Sequence, residues 1–307
     1  MRNEDDMASF NNGYVSVAIA AVFWGTIGLF VKLLSGFGLS VTAIVFIRLF
    51  YGCLILSFIM MRRSKKLFKV NMKGLILMGI MGIFTQAGFN LVYFKTIEVI
   101  GVASAAVLLY IAPVLITILS RFIFKEVLNI YKKLGLIICI VGAFIAITGG
   151  QLNTFNLNTT GIFLGLLSAV IYAFLSIFSK FALEHYSPLT VIFYSFVFGA
   201  VSITPFVSGH DFKLMISSFE IIGVSLAMGL IPAAFAYFAY FRGIGQKIDL
   251  SIVGIISTLE LLVSVLIGSV FLNETITIIK LIGLVLIVLS IIISQQQSKA
   301  LCLTVGD

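Results

Sequence analysis

Long apolar runs alternate with short polar segments along the whole chain of 307 residues. Each run holds about 20 residues, which is the length that an α-helix needs to cross a hydrocarbon core of about 30 Å. Glycine, proline, asparagine and clusters of charge separate the runs and mark where helices end. The pattern predicts ten membrane-spanning helices, at residues 14–34, 41–61, 74–94, 102–124, 131–149, 160–182, 189–208, 219–241, 250–272 and 276–295.

The composition agrees with this pattern. Hydrophobic residues make up 61% of the chain and charged residues 10%, whereas a soluble domain carries about 25% charged residues. The predicted fold class is therefore an all-α integral membrane protein with no room for a soluble domain. The expected parts are a tail at 1–13, a five-helix half at 14–149, a linker at 150–159, a second five-helix half at 160–295 and a tail at 296–307.

Lysine and arginine are distributed unevenly between the two sides of the predicted membrane. If the N-terminus is cytoplasmic, all but five of the 20 lie on the cytoplasmic side, where such residues usually concentrate. We therefore expect a multi-pass protein of the cell membrane, such as the inner or plasma membrane of a bacterium, with both termini cytoplasmic. This bias accounts for the net charge of +8, and no nucleic-acid partner is predicted.

The chain also repeats itself. A shift of 148 residues aligns residues 20–32 with 168–180, and a shift of 147 aligns residues 82–95 with 229–242. Because each half holds five helices, an odd number, the two halves enter the membrane from opposite sides and form an inverted repeat. Such a repeat allows a central site to open alternately to either side, which is typical of a carrier. The matched aromatic positions are Trp24 with Tyr172 and Tyr93 with Tyr240.

Four segments together resemble the drug/metabolite transporter superfamily in its ten-helix, EamA-like form. They are "FWG" in the first helix with Lys32 at its end, "RLFYG" from Arg48, "APVLITILSRFIFKE" from Ala112, and "TLELLVSVLIGSVFLNE" from Thr258. The resemblance implies a central cavity lined mainly by helices 1, 3, 4, 6, 8 and 9. It also implies export or exchange of small metabolites such as amino acids, sugars and drugs. Leu261 follows Glu260 where many members have proline, so a break in the ninth helix is not predicted.

Glu260 is the most unusual residue of the ninth helix, because it is the only charge between Leu250 and Leu272. An ionisable group at membrane depth costs at least about 2.5 kcal/mol and usually faces protein or a water-filled cavity. Ser257 and Glu260 share one helix face, and the repeat pairs them with Tyr110 and Pro113 of the fourth helix, where Pro113 predicts a kink. The other candidates for the cavity wall are Trp24, Gln86, Asn90, Tyr172 and Tyr237.

Three hypotheses for Glu260 stay open at this point: it holds helices together by hydrogen bonds, contacts a cationic or amino-bearing substrate, or carries a proton. Burial favours the neutral form of a carboxyl group, so Glu260 could take up and release protons near neutral pH. Arg48 is the other charge inside a span. Either its long side chain reaches outward to the membrane surface, or it pairs with Glu260 across the cavity.

Other classes of protein fit less well. No span contains histidine, a nucleophile motif or a nucleotide-binding loop, so we expect neither an enzyme nor a metal or cofactor site. A channel would need a more continuous polar lining. The sequence therefore predicts a secondary active transporter of an amino acid or a related amphipathic or zwitterionic solute, with export and proton coupling as expectations. The alternatives are an exporter of cationic drugs, and a channel or structural membrane protein. The expected partners are the transported solute and the lipid bilayer, and a homodimer is left open.

Overall fold

The computed structural model describes residues 4–151, 158–246, 248–272 and 275–303. Within these residues it contains ten helices long and apolar enough to cross a membrane, and no strand, which confirms the predicted fold class. We number them helices 1 to 10: Asn12–Gly36, Val41–Arg63, Met72–Ile100, Val102–Ile123, Ile130–Thr148, Thr159–Leu183, Pro188–Phe206, Phe219–Ile244, Leu250–Phe271 and Ile278–Gln296.

Several helices change geometry along their length. The spans of helices 1, 4 and 9 each fall on two α-helical segments. These are Glu4–Trp24 and Ile27–Gly36 for helix 1, Val102–Leu109 and Ala112–Ile123 for helix 4, and Leu250–Ser257 and Leu259–Leu272 for helix 9. Helices 3 and 8 each contain a wider π-helical stretch, Met81–Gly88 and Gly229–Phe235. Short helices Lys65–Phe68 and Gly209–Met215 lie in two of the connections.

Polar residues at the start of many helices fix where they begin. The side chain of Ser40 accepts a hydrogen bond from the Ala43 N–H, and Asn129 does the same for the Lys132 N–H. Such caps satisfy N–H groups that have no partner inside the helix. The same arrangement begins helices 3, 6 and 7, with the side chains of Asn71, Asn158 and Ser187 as acceptors.

The irregular stretches occur at matching positions of the two halves. Shifting the π-helical stretch of helix 3 by 147 residues places Gly82 on Gly229, the first residue of the stretch in helix 8. The same shift places Tyr110, in the interruption of helix 4, on Ser257, the last residue before the interruption of helix 9. The inverted repeat is therefore present in the backbone as well as in the sequence.

Helices 5 and 10 pack most closely, through glycines. A Cβ atom on Gly142 would lie 2.9 Å from the Gly283 carbonyl oxygen, and one on Gly283 would lie 2.4 Å from the Ala146 nitrogen. Small residues let membrane helices approach until their backbones touch. The fifth helix of each half therefore packs against its counterpart, and the other helices surround the central region.

The connections lie at the two ends expected for ten crossings. At one end, the Tyr186 hydroxyl donates to Asn71 Oδ1, which joins the connections before helices 3 and 7, and Lys180 pairs with Glu126. We call this the basic end. At the opposite end, Asp211 accepts hydrogen bonds from the backbone and side chain of Ser40.

The ends of the chain extend the predicted spans. Helix 1 is helical from Glu4, and helix 10 continues to Leu303, so both enter segments that we assigned to the tails. Neither segment contains proline, and an established helix propagates readily into residues that tolerate it. Residues 152–157 of the predicted linker lie outside the described residues.

Candidate functional site

The interruptions of helices 4 and 9 meet near the middle of their spans. In helix 9 the interruption is Thr258, and Glu260 lies in the first turn of the segment that follows. In helix 4 it comprises Tyr110 and Ile111. The Tyr110 hydroxyl donates a hydrogen bond of 3.2 Å to Glu260 Oε1. The two pseudo-equivalent helices are therefore joined at an acidic residue near the middle of the span of helix 9.

Helix 1 reaches the same place. Its interruption comprises Gly25 and Thr26. A Cβ atom on Gly25 would lie 2.8 Å from the carbonyl oxygen of Glu260 and 2.5 Å from Cβ of Val263. Only glycine fits this close approach, so helix 1 packs directly on the backbone that carries Glu260.

The two interruptions joined at Glu260 have different local causes. Pro113 has no N–H, and around it hydrogen bonds span three residues instead of four, as from Val114 N–H to the Ile111 carbonyl. Helix 9 has no proline, and here Thr258 makes the break. Its N–H and its hydroxyl both bond to the Ile255 carbonyl, at 3.2 and 2.7 Å. We did not expect this break from the sequence, because Leu261 replaces proline.

A small cavity lies beside the joined helices. Its volume is about 10 Å³, close to what one water molecule occupies. Glu260, Tyr110 and Tyr172 are each partly exposed. Helices 4, 6 and 9 supply the wall, which is formed by Leu109, Tyr110, Ala112, Pro113, Tyr172, Gly254, Ser257, Thr258 and Glu260.

Aromatic rings fill the region between helices 1, 6 and 8. The Trp24 ring lies 5.2 Å from the ring of Tyr237 and 4.8 Å from that of Tyr240. The Tyr240 hydroxyl hydrogen-bonds to Ser176 of helix 6 at 2.6 Å. Tyr240 was absent from the sequence candidates, although its repeat partner Tyr93 could have indicated it. The rings give the central region polarisable, largely apolar walls.

The remaining candidates lie in the same central region or use their polar atoms locally. The Asn90 amide donates to the Gln86 carbonyl of its own helix, and the Ser257 hydroxyl donates to Val253 at 2.9 Å. Gln86 is fully buried. Arg48 is also buried, and no ion pair joins it to Glu260 among the described residues.

Glu126, which we did not select from the sequence, joins several helices at the basic end. Its carboxylate accepts the N–H of Leu250 at 2.8 Å and the N–H of Ser251 at 3.2 Å, at the start of helix 9. The Ser251 hydroxyl also donates to it, and Lys180 of helix 6 pairs with it at 3.1 Å. Lys125, just before it, adopts a positive φ of 56°, which turns the chain sharply before the carboxylate.

These contacts close the basic end of the central region. All residues from Leu250 to Ser257 are buried, whereas those from Leu259 onward are mostly partly or fully exposed. Asp249, at the start of helix 9, does not cap its own helix and instead pairs with Lys132 at 2.8 Å. The carboxylate of Glu126 therefore caps helix 9 from a distant connection, where the partial positive charge of a helix N-terminus favours an anion.

The charge of Glu126 is favoured in this place. Burial alone raises the pKa of this carboxyl, but the hydrogen bonds from Leu250 and Ser251 and the charge of Lys180 lower the pKa more, so the net shift is downward. A sequence signal for Glu126 exists, since the fourth-helix segment ends in "KE" and its repeat ends in "NE" at Glu274. Glu274 lies outside the described residues.

Known proteins resemble the chain over nearly its whole length. It is 27% identical to an uncharacterized transporter of Archaeoglobus fulgidus over 93% of this chain and 97% of that protein. It is 25% identical to the uncharacterized inner membrane transporter YicL of Salmonella typhimurium, over 95% and 98%. A solved crystal structure superposes with a TM-score of 0.79 at 17% identity, over 95% of this chain and 99% of the other, which shows a common fold.

One family model matches the chain twice, once in each half. The matches cover residues 11–148 and 159–295. They include the four interrupted or widened spans that the repeat relates to one another, helices 3 and 4 in the first half and helices 8 and 9 in the second. The chain therefore belongs to the EamA-like transporter family, and it is a multi-pass membrane transporter.

Proposed function

We propose that the protein is a secondary active transporter that moves a small amphipathic or zwitterionic metabolite of the amino-acid class by alternating access. The observation that carries this proposal is the meeting of helices 4 and 9 at Glu260, through interruptions that the inverted repeat relates to each other. Interrupted helices at mid-membrane supply free backbone groups and hinge points for a binding site. Matching hinges in both halves allow the halves to exchange conformations.

Glu260 is the proposed proton carrier. In the part of the chain that the structure describes, the titratable side chains that interact with Glu260 are tyrosines, which stay neutral through the physiological range. Among these groups, Glu260 is the one that can change charge near neutral pH. The hydrogen bond from Tyr110 stabilises the charged form, and loss of contact with Tyr110 during a conformational change favours protonation. These tyrosines are Tyr93, Tyr110, Tyr172, Tyr237 and Tyr240.

We further propose the cell membrane as the location, with the basic end in the cytoplasm, because lysine and arginine concentrate at that end. Export is the proposed direction, following the family resemblance. The structural arrangement supports transport without a chemical step. A homodimer stays a proposal, which size measurements on the purified protein can test.

Transport in proteoliposomes under an imposed pH gradient tests the proposal. The twenty standard amino acids are measured individually for accumulation against their gradient and for exchange without a proton gradient. We expect the wild type to accumulate at least one of them, and Glu260→Gln to lose proton-driven accumulation while keeping some exchange. Glu98→Gln is the matched control, because Glu98 is exposed at the end of helix 3. Full accumulation by Glu260→Gln, with its pH dependence intact, would contradict the proton role.

A second candidate, export of organic cations, is favoured by the aromatic rings around a single acid. A cation over an aromatic face gains about 0.5–2 kcal/mol, and Trp24, Tyr172 and Tyr237 supply such faces. The same proteoliposomes are therefore offered tetraphenylphosphonium and ethidium. Accumulation of these cations with no amino acid moved would replace the first candidate by the second.

A further inference from the structure

Arg48 is a buried charge that has no ion-pair partner among the described residues. The residue is 7% exposed, and it is the eighth residue of helix 2. Among the described residues, the guanidinium forms no ion pair, and its Nε is buried without a hydrogen bond. A buried charge is strongly unfavourable unless it is paired and hydrogen-bonded. The fold alone therefore does not account for Arg48.

Gln86 is a second buried polar group that is poorly satisfied. It lies in the π-helical stretch of helix 3 with none of its side chain exposed. Within the described part of the chain, neither its amide nitrogen nor its amide oxygen makes a hydrogen bond of good geometry. π-Helical stretches occur often at functional sites, and this one has its counterpart in helix 8. Gln86 therefore presents a poorly satisfied amide inside the bundle, with the Tyr237 hydroxyl beside it.

Tyr237 connects these two residues with Glu260. Its hydroxyl lies beside the Gln86 side chain, and it is within electrostatic range of both Arg48 and Glu260. Its ring packs on Trp24 at 5.2 Å and on Phe196 at 5.1 Å. Tyr237 therefore lies between a positive group and an acidic group, within the aromatic region.

The packing of helix 2 shows that the Arg48 face points into the bundle. One turn after Arg48, a Cβ atom on Gly52 would lie 2.8 Å from the ring of Phe196 and 3.2 Å from Cβ of Ala233. A Cβ atom on Gly199 would lie 3.0 Å from Cβ of Gln86. Helices 2, 3, 7 and 8 thus converge around the three polar side chains, away from lipid.

We propose that Arg48, Gln86 and Tyr237 form a carboxylate-binding subsite, so that the transported solute is an α-amino acid whose carboxylate binds there and whose ammonium group faces Glu260. A guanidinium binds a carboxylate through two parallel hydrogen bonds, and the amide N–H of Gln86 and the hydroxyl of Tyr237 supply further donors. The inference rests on the proposed function and names its substrate class.

Binding to the purified full-length protein in detergent tests this subsite without requiring transport. The twenty amino acids are first screened by thermal stabilisation. The best binder is then compared with two analogues, the amine that lacks its carboxylate and the acid that lacks its amino group. We expect the amino acid to bind about 10- to 100-fold more tightly than the amine, as expected from hydrogen bonds to a charged group. Arg48→Gln should abolish this preference and leave the affinity for the amine unchanged.

Gln86→Leu provides a variant that keeps the fold. Among the described residues the Gln86 amide makes no hydrogen bond of good geometry and has only a weak contact with the Tyr237 hydroxyl, so leucine should keep or raise the unfolding temperature, while amino-acid binding weakens several-fold. If the leucine variant were instead destabilised and bound the amino acid normally, Gln86 would be structural and the subsite would be wrong. Arg48→Lys keeps the charge but loses the paired geometry, and we expect intermediate binding.

The outcomes separate this inference from the proposed function. Three results would overturn the subsite: equal binding of amino acid and amine, an unchanged preference in Arg48→Gln, or no binding of any amino acid. If organic cations nevertheless accumulate in proteoliposomes, the proposal that the protein is a transporter still holds. Arg48-dependent binding in detergent, together with no proton-driven movement in proteoliposomes, would support the subsite and overturn the proposed coupling.

Discussion

Replacing Glu126 with glutamine tests whether the contacts at the basic end keep that end closed. Glutamine has nearly the same shape, but it has no charge and only one acceptor oxygen. The N–H groups of Leu250 and Ser251 then share one neutral acceptor, and Lys180 loses its ion-pair partner. Alternating access requires this end to open, and we expect opening to break these contacts.

The expected size follows from the contacts. Hydrogen bonds to a charged group contribute about 1.5–3 kcal/mol, against about 0.5–1.5 kcal/mol for neutral pairs. Only 5% of the Glu126 side chain and 19% of the Lys180 side chain are exposed, so solvent screens the pair only weakly. Allowing for one retained neutral hydrogen bond, the closed form should lose about 2–3 kcal/mol. This corresponds to about a 30- to 140-fold larger open fraction.

Cysteine labelling at Ser257 measures the open fraction. Ser257 lies in the wall of the central cavity and is buried in the closed form. The variant Ser257→Cys, made in a protein whose three native cysteines are replaced by alanine, is treated with a membrane-impermeant thiol reagent in inside-out vesicles. There the basic end, if cytoplasmic as we propose, faces the reagent. When opening and closing are fast, the labelling rate follows the open fraction.

The matched control is Glu98→Gln, which breaks the exposed pair between Lys95 and Glu98 at the opposite end. An exposed pair of this kind contributes about 0–1 kcal/mol, so labelling should stay within a few-fold of the parent. If Glu126→Gln is folded and its labelling rate also matches the parent, the Glu126 contacts do not hold the end closed.

Two further predictions concern packing and pH. Gly25→Ala should reduce transport by roughly 10- to 100-fold, because the added Cβ would lie 2.8 Å from the Glu260 carbonyl oxygen. Gly36→Ala in the same helix should leave transport unchanged, since no atom lies within 4 Å of a Cβ added there. Equal initial rates for the two variants would refute this. Burial raises the pKa of the Asp211 carboxyl, but hydrogen bonds from Ser40 and Ser208 lower it more, so the net shift is downward. Ionised Asp211 should therefore stabilise the fold at pH values above its ordinary pKa of 3.8, and this stabilisation should be lost as the pH falls further. Unfolding temperatures in detergent between pH 6 and 3 should therefore fall more steeply for the wild type than for Asp211→Asn, and parallel curves would contradict this.

Much of the fold could be predicted from the sequence, for a physical reason. A membrane helix needs a continuous apolar run of fixed length, and such runs are visible in one dimension, so all ten spans were predicted to within a few residues except at the end of helix 3. That helix extends to Ile100 instead of residue 94. The added turn carries Lys95 and Glu98, an exposed ion pair, whose polarity is typical of a helix leaving the apolar core.

The candidate site was predicted less completely. The repeat indicated that Tyr110 and Pro113 of helix 4 correspond to Ser257 and Glu260 of helix 9, because an internal repeat preserves position along each half. The hydrogen bond between Tyr110 and Glu260 is a contact between residues 150 positions apart, and no local pattern encodes it. The break at Thr258 was also missed, since threonine in a helix often bonds to a preceding carbonyl without ending the helix.

The sequence by itself determined the class of protein, the number of crossings and the presence of two inverted halves, because burial in lipid acts on each segment separately. The tertiary structure decided which polar residues find partners. It joined Glu126 to the start of helix 9 across 124 positions, and among the described residues it left the Nε of Arg48 and the amide of Gln86 without a hydrogen bond of good geometry. Such outcomes depend on the packing of several helices at once, and that packing is decided in three dimensions.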